Sequence, residues 1–126
     1  MIRGIRGATT VTNNAEADIL DRTEELIREM VQANNVEPSD IASMIISVTD
    51  DINAVFPAKA VRRLVGFTFV PVMCVREIPV PDSLPYCIRI MMTVNTNVAP
   101  HEVKHIYQYD AISLRPDLQL TNKVEL

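Results

Sequence analysis

The apolar run CIRIMM, residues 87–92, contains an arginine and continues into Thr93 and Val94. Such a run is typical of a buried strand, and a guanidinium cannot lose its charge inside a protein. A buried Arg89 must therefore be paired or must reach an anionic ligand. The residues alone leave two interpretations open, which are a structural ion pair with Glu77 and a binding pocket for a small anion.

Further charged side chains stand where they could serve the same pocket. Arg6 ends the first predicted strand, Glu77 follows the apolar run VPVMCV, and Arg115 opens the polar C-terminal segment. Lys59 and Arg62 are three residues apart and so share one face of a predicted helix. Each of these side chains taken alone is more often simply solvated. Together they predict a cleft with several cations, one carboxylate and apolar walls, which suits a small, multiply anionic substrate.

The cysteines and histidines indicate neither a disulfide nor a metal site. Cys74 and Cys87 lie in apolar, strand-like runs, where reduced and buried thiols of a cytosolic protein are the expected form. His101 and His105 are four residues apart, but no third ligand is near them, so both are expected to be exposed. We expect no metal and no cofactor.

The composition limits the domain count and the partners. The chain has 126 residues, of which 48% are hydrophobic, so residues 1–126 are expected to form one domain with a real core. The net charge of −4 argues against a nucleic-acid or anionic-membrane surface. The N-terminus lacks the apolar run of a signal peptide, and the longest uncharged stretch, residues 66–75, is too short to span a bilayer. The sequence therefore predicts a cytoplasmic protein.

The elements that must position the charges follow the order β, α, β, α and then further strands. Asn13 offers an N-cap with Glu16 as its capping-box partner, so an amphipathic helix is predicted from residue 14 to about residue 33. A second helix is predicted from Pro57 to Gly66, and one helical turn at residues 100–104. The predicted strands are MIRGIRGATT, SMIISVT, FTFVPVMCV, CIRIMMTVNT and HIYQYDAISL.

This order predicts an α+β (α/β) fold, a mixed β-sheet with helices on one face. The strands FVPVMCV and IRIMMTV show no clean polar alternation, so the other face is expected to be covered by another subunit. Crevices between subunits are common places for small-ligand sites. Residues 115–126 are polar and terminal, and we expect a mobile tail there unless something docks it.

Five segments in this order and spacing, IRGIRGATTV, AVFPAKAVR, VPVMCVRE, CIRIMMTV and LRPDL, resemble the monofunctional chorismate mutases of the AroH type. The resemblance runs from Met1 to Leu126 without a large insertion. It implies rearrangement of chorismate to prephenate, a step of the shikimate pathway towards phenylalanine and tyrosine. It also implies a homotrimer of α/β subunits shaped like a pseudo-α/β-barrel, with three active sites between neighbouring subunits.

The resemblance implies a role for each candidate residue. Arg89 resembles the arginine that donates to the ether oxygen and a carboxylate, and Glu77 resembles the glutamate that accepts from the ring hydroxyl. Arg6 and Tyr107 match side chains that hold the side-chain carboxylate. The other matches are pocket walls and cations: Val72, Cys74 and Leu114 as walls, Phe56 and Ala58 as walls from the neighbouring subunit, Lys59 and Arg62 as that subunit's cations, and Arg115 at the start of an ordering tail.

Two features of the sequence qualify this match. Met73 stands where a threonine is familiar in the family, so a hydroxyl contact is lost there while a backbone contact survives. Cys74 and Glu77 are an odd number of residues apart, so a bulge or a strand end must separate them if both face the substrate.

Two other functions stay open. One is a non-catalytic trimeric binder of a small dicarboxylate metabolite, and the other is a related trimeric fold that acts on imines or enamines. A binder needs carboxylate anchors but needs no cation at an ether oxygen. The combination of Arg6, Glu77 and Arg89 therefore favours the mutase.

Overall fold

One mixed β-sheet organises the computed structural model, which describes residues 1–115. Its strands within that range are β1 (Ile2–Thr10), β2 (Ile41–Val48), β3 (Val72–Arg76), β4 (Cys87–Asn95) and β5 (Ile106–Tyr107), in the spatial order β3-β2-β4-β1-β5. β4 is antiparallel to both of its neighbours, β1 and β2. β3 and β5, at the two edges, are parallel to β2 and β1 respectively. The predicted mixed sheet is confirmed.

Helix α1 (Glu16–Ala33) covers one face of this sheet. Its buried residues recur at helical spacing and pack on β1, where Gly7 gives the closest approach because a Cβ there would overlap the Met30 sulfur. The predicted helix is confirmed, but the predicted cap is wrong. The N-cap is Ala15, and the side chain of the predicted cap, Asn13, instead donates to Asp18 Oδ2 over a distance of 3.3 Å.

Several predicted elements are shorter than the sequence pattern suggested. The second helix is a 3₁₀ helix, Pro57–Arg63, which ends before Gly66. β3 begins only at Val72, because the preceding segment turns, with the Val70 N–H donating to the Phe67 carbonyl. β5 has two residues, since the backbone at Tyr109 takes a positive φ of 53° and the chain continues as a 3₁₀ helix, Tyr109–Leu114. Further 3₁₀ helices are Pro38–Asp40 and Pro100–Glu102.

The two faces of the sheet differ more sharply than the sequence suggested. In β4 the residues Ile88, Ile90, Met92 and Val94 are buried beneath α1, while Arg89, Met91 and Asn95 alternate with them and are exposed. The expectation of no clean alternation is therefore wrong for β4 in the described protomer. The other face, here called the open face, still exposes an apolar set, Ile45, Met73, Val75 and Met91.

The close approach at Gly7 generates a stability prediction. Gly7→Ala should lower the free energy of unfolding by about 1–3 kcal/mol, because the fully buried Met30 and Leu26 must move to admit a methyl group. Gly4→Ala is the matched control, since its Cβ would lie 3.2 Å from the sulfur of Met91, which is exposed and can yield. Denaturant unfolding of both variants checks this, and equal midpoints would contradict the packing argument.

Candidate active site

Arg89 and Glu77 form a two-pronged ion pair on the open face. Arg89 Nε donates to Glu77 Oε2 over 2.5 Å, and Nη2 donates to Oε1 over 2.7 Å. The Ser47 hydroxyl donates a further short hydrogen bond to Oε2. Glu77 follows directly after β3, where its N–H donates to the Val48 carbonyl over 2.9 Å. The ion pair that the sequence left open as one interpretation is present.

The ion pair does not exhaust the donors of Arg89. A guanidinium has five N–H groups, and the two directed at Glu77 leave three for another anion. The Arg89 side chain is 55% exposed and that of Glu77 is 17% exposed. The expectation of a buried Arg89 is thus wrong for the described protomer, because β4 buries only its other face. An external ligand can reach the guanidinium from the open face.

Both members of the pair stay charged over a wide pH range. The hydrogen bonds from the Arg89 guanidinium hold the pKa of Glu77 below its usual value although the carboxylate is partly buried, and Ser47 lowers this pKa further. In return, the hydrogen bonds to Glu77 raise the pKa of Arg89. The site therefore presents a fixed cation beside a fixed anion.

Arg6 and Tyr107 border one shallow cavity with Arg89. The cavity has a volume of about 180 Å³, and Ser47 and Met91 also line it. β1 places Arg6 opposite Met91, and β5 places Tyr107 opposite Ala8. Two cations and a phenol thus share one pocket on the open face.

His105 differs from its predicted exposure, whereas His101 is exposed as expected. His105 is half-buried, and its Nδ1 accepts a hydrogen bond from the Arg6 N–H over 2.9 Å. Burial lowers the pKa of His105, and the nearby charges of Arg6 and Arg115 lower it further. A neutral His105 therefore fixes the backbone that carries Arg6.

Leu114 reaches the ion pair from the C-terminal 3₁₀ helix. A cavity of about 300 Å³ is lined by Leu114 together with Glu77, Arg89 and Cys87. Arg115, next along the chain, is half-buried, while the rest of the predicted tail, residues 116–126, lies outside the described residues. We call the set Arg6, Glu77, Arg89, Tyr107 and Leu114 the arginine half-site.

The remaining candidates lie on the edge strand β3 and on or beside the 3₁₀ helix Pro57–Arg63. Phe56, Lys59 and Cys74 line a cavity of about 820 Å³, and a backbone hydrogen bond links the Cys74 thiol to Ala58. Burial nevertheless raises the pKa of the Cys74 thiol. We call the set Phe56, Ala58, Lys59, Arg62, Val72 and Cys74 the lysine half-site.

Strand register explains why the two half-sites do not merge within one protomer. Cys74 pairs with the buried Ile46, so it points towards the helix-covered face, whereas Met73 pairs with Ile45 on the open face. The expectation that Val72 and Cys74 lie with Arg89 is therefore wrong within one protomer. Val72 pairs with the buried Met44 and so shares the face of Cys74, which lines the cavity of Phe56 and Lys59. Cys74 and Glu77 thus face opposite sides of the sheet, as their odd spacing predicts, so the condition that both face one substrate is not met within one protomer.

The two cations of the lysine half-site differ in their ion pairing within residues 1–115. Lys59 Nζ lies 2.8 Å from Glu16 Oε1 at the start of α1, and both side chains are about half exposed. Arg62 lines a cavity of about 480 Å³ with Lys59, Glu16 and Arg63, and it makes no ion pair with any residue in the range 1–115. Arg62 can thus take an external anion without releasing an internal one.

The sequence interpretation missed Ser47 and Glu16, which contact Glu77 and Lys59 respectively. The hydroxyl of Ser47 interrupts the apolar strand SMIISV, a signal of the same kind as the arginine in CIRIMM. Glu16 carried no such signal, since an acidic residue in a first helical turn is ordinary.

No group of three or more His, Cys, Asp or Glu side chains within residues 1–115 is placed to hold a metal ion. The helices of that range include none with the length and apolar character needed to cross a membrane. Both cysteines are free.

Comparison with known proteins identifies the family. Residues 2–118 match the family model described as chorismate mutase type I. The chain is 48% identical to chorismate mutase AroH of Bacillus subtilis, over 100% of this chain and 99% of that protein. It is 42% identical to chorismate mutase AroH of Thermus thermophilus, over 94% and 98% of the two chains.

A solved structure supports the same assignment. The chorismate mutase from Clostridium thermocellum superposes with a TM-score of 0.86 at 45% sequence identity, covering 88% of this chain and 98% of the other. The family match, the identities and the fold therefore agree. The chain belongs to the chorismate mutase type I family.

Proposed function

We propose that this protein is a chorismate mutase that converts chorismate to prephenate at a site shared between subunits of a homotrimer. The observation that carries the proposal is the guanidinium of Arg89, which is fixed to Glu77 yet keeps three N–H groups available on the open face. Membership in the family supports the same activity. The cytoplasm remains the expected location, because two unpaired cysteines suit a reducing compartment.

The reaction needs what this pair offers. In a Claisen rearrangement one carbon–oxygen bond of the enolpyruvyl ether breaks while a carbon–carbon bond forms within the same molecule. Bond breaking runs ahead, so negative charge grows on the ether oxygen and positive charge grows on the ring. The free N–H groups of Arg89 stabilise the negative charge on the ether oxygen. The carboxylate of Glu77 stabilises the positive charge on the ring while accepting a hydrogen bond from the ring hydroxyl.

The other residues bind the substrate and select its compact conformer. Arg6 and Tyr107 hold the side-chain carboxylate, and Lys59 and Arg62 supply positive charge near the mouth of the cleft. Since all of these contacts lie around a small dianion, binding restricts it to the diaxial form that reacts. The walls are Phe56, Ala58, Val72, Met73, Cys74 and Leu114, and Arg115, next to Leu114, supplies a further cation.

The division into half-sites supports the composite site. The arginine half-site opens on two small cavities of about 180 and 300 Å³, while the lysine half-site lies at the β3 edge with Phe56 strongly exposed. Apolar side chains of the open face lie between the two half-sites and are exposed in the single protomer, as expected of a surface that another subunit covers. In the proposed trimer the arginine half-site of one protomer meets the lysine half-site of the next, and the sheets form the pseudo-barrel.

Replacing Arg89 tests the chemistry. Glutamine or citrulline at this position should lower kcat by roughly a hundredfold to a thousandfold, about 3–4 kcal/mol, because the ether oxygen loses a fixed positive charge. Arg89→Lys should fail as well, since an ammonium cannot reproduce the two-pronged contact. The measurement is the loss of the diene absorbance of chorismate, beside circular dichroism and native mass.

Arg28→Gln is the matched control for this experiment. Arg28 also pairs with a glutamate, Glu24, and its side chain is 56% exposed, but it lies on α1 and lines none of the cavities described above. Its kcat should stay near that of the unmodified protein. An intact Arg89→citrulline protein with kcat within about threefold of the unmodified protein would make Arg89 a structural residue, and an inactive unmodified protein would favour the non-catalytic binder.

Mixing inactive variants tests the shared site. Arg89→Ala destroys the arginine half-site and Lys59→Ala with Arg62→Ala destroys the lysine half-site, so each variant alone should be inactive. Subunit exchange should restore part of the activity, because some interfaces then combine two intact half-sites. Exchange without any recovery, or a monomeric native mass for the unmodified protein, would contradict the composite trimer.

The pH dependence tests the absence of general acid–base catalysis. Turnover should be nearly constant from about pH 6 to pH 9, because no proton moves in the slow step and the arginines stay charged. Glu77 stays ionised until the pH falls through its lowered pKa, so the acid limb should lie below the ordinary glutamate value. Because burial raises the pKa of Cys74, its thiolate forms only at a higher pH than that of an ordinary cysteine. A bell-shaped kcat profile inside this window would argue against the mechanism.

A further inference from the structure

Ser47 occupies a position that the reaction scheme leaves unexplained. It lies on β2 directly opposite Arg89 on β4, so both side chains point to the open face. It is half-buried, lines the same small cavity as Arg6 and Arg89, and donates its hydroxyl hydrogen to Glu77 Oε2. Arg89 Nε donates to that same oxygen over 2.5 Å. Two donors from two neighbouring strands therefore converge on one carboxylate oxygen.

Glu77 needs such an anchor because it lies just beyond regular structure. β3 ends at Arg76, and the next regular element, β4, begins only at Cys87. The backbone of Glu77 donates one hydrogen bond, to Val48, and the following Ile78 is largely exposed. A carboxylate at the start of a loop takes its orientation from its side-chain partners. Those partners in the described chain are Arg89 and Ser47.

Counting donors shows what the hydroxyl of Ser47 contributes. With Oε2 shared by Ser47 and Arg89 Nε, Glu77 binds the side of the guanidinium, and both N–H groups of Nη1 stay available. Within residues 1–115, Oε1 accepts only from Nη2, so it has room for one more donor. Without the hydroxyl, the carboxylate is free to rotate to the two Nη groups and to consume donors that the substrate requires.

We propose that Ser47 is a positioning residue of the active site, which holds Glu77 against the side of Arg89 so that Nη1 and Oε1 remain open to the substrate. The inference rests on the proposed roles of Arg89 and Glu77. It assigns Ser47 no contact with the reacting atoms. Its effect should therefore appear in kcat more than in KM, since the ether oxygen gains its negative charge only as the bond breaks, in the transition state.

The test compares three variants of β2. Ser47→Ala should lower kcat on the order of tenfold to a hundredfold, the usual effect of losing a hydrogen bond to a charged group. KM should change by less than about threefold, and Ser47→Thr should restore most of the activity because it keeps the hydroxyl. Ser43→Ala is the control. Ser43 lies on the same strand and face, opposite Thr93, and its kcat should not change.

Two readouts separate positioning from a structural role. The Nε–H of Arg89 should give a slowly exchanging NMR signal in the unmodified protein and in Ser47→Thr, and a fast one in Ser47→Ala. The acid limb of kcat should move to higher pH in Ser47→Ala, because Glu77 loses a donor that lowers its pKa. Should the alanine variant not fold, Ser47→Cys keeps the shape with a weaker donor and replaces it in each comparison.

The outcomes distinguish this inference from the proposed function. Equal kcat for Ser47→Ala and Ser43→Ala in an active enzyme would overturn the role of Ser47 alone, as would a threonine variant no better than alanine. An unmodified protein that does not consume chorismate would overturn the proposed function. In that case the exchange rate of the Arg89 Nε–H still tests whether Ser47 positions Glu77. Slow exchange that persists in Ser47→Ala would overturn this positioning role.

Discussion

The permanent charge of Arg89 is the constraint on which the rest of the site depends. A guanidinium on the central strand of the sheet keeps its charge, and here the surrounding strands supply one anion while three of its N–H groups stay open to a second. Glu77 supplies the first, at the end of β3, and Ser47 on β2 and Arg6 on β1 complete the surroundings. The antiparallel register of β4 with both neighbours places these groups side by side.

The same sheet explains why one protomer has two partial sites. Side chains alternate along a strand, so β3 directs Cys74 to the helix-covered face while β4 directs Arg89 to the open face. A flat sheet cannot bring those side chains together around one small molecule. Contact between the edge of one sheet and the open face of another can bring them together. The proposed activity and the proposed assembly therefore depend on each other.

The sequence predicted the sheet, the long helix and the identity of the charged residues, because these leave periodic or compositional signals. It could not predict on which face Arg89 lies, because the run CIRIMM is apolar on both sides and exposure depends on what covers the strand. The odd spacing of Cys74 and Glu77 did indicate opposite faces, but which face each one takes depends on strand register, which is a tertiary property. The last strand ends early because the backbone at Tyr109 has a positive φ, which a tyrosine in the sequence does not predict.

The ion pair between Lys59 and Glu16 has a consequence for ligand selectivity. Glu16 acts as an internal counterion, and the hydrogen bond from Lys59 lowers its pKa, so it stays ionised near neutrality. A metabolite with one carboxylate would merely exchange one anion for another at Lys59. A dianion brings a second carboxylate for the arginines, which gives it a gain that the exchange alone cannot provide. The cleft would thereby discriminate among metabolites by their charge, before their shape is tested.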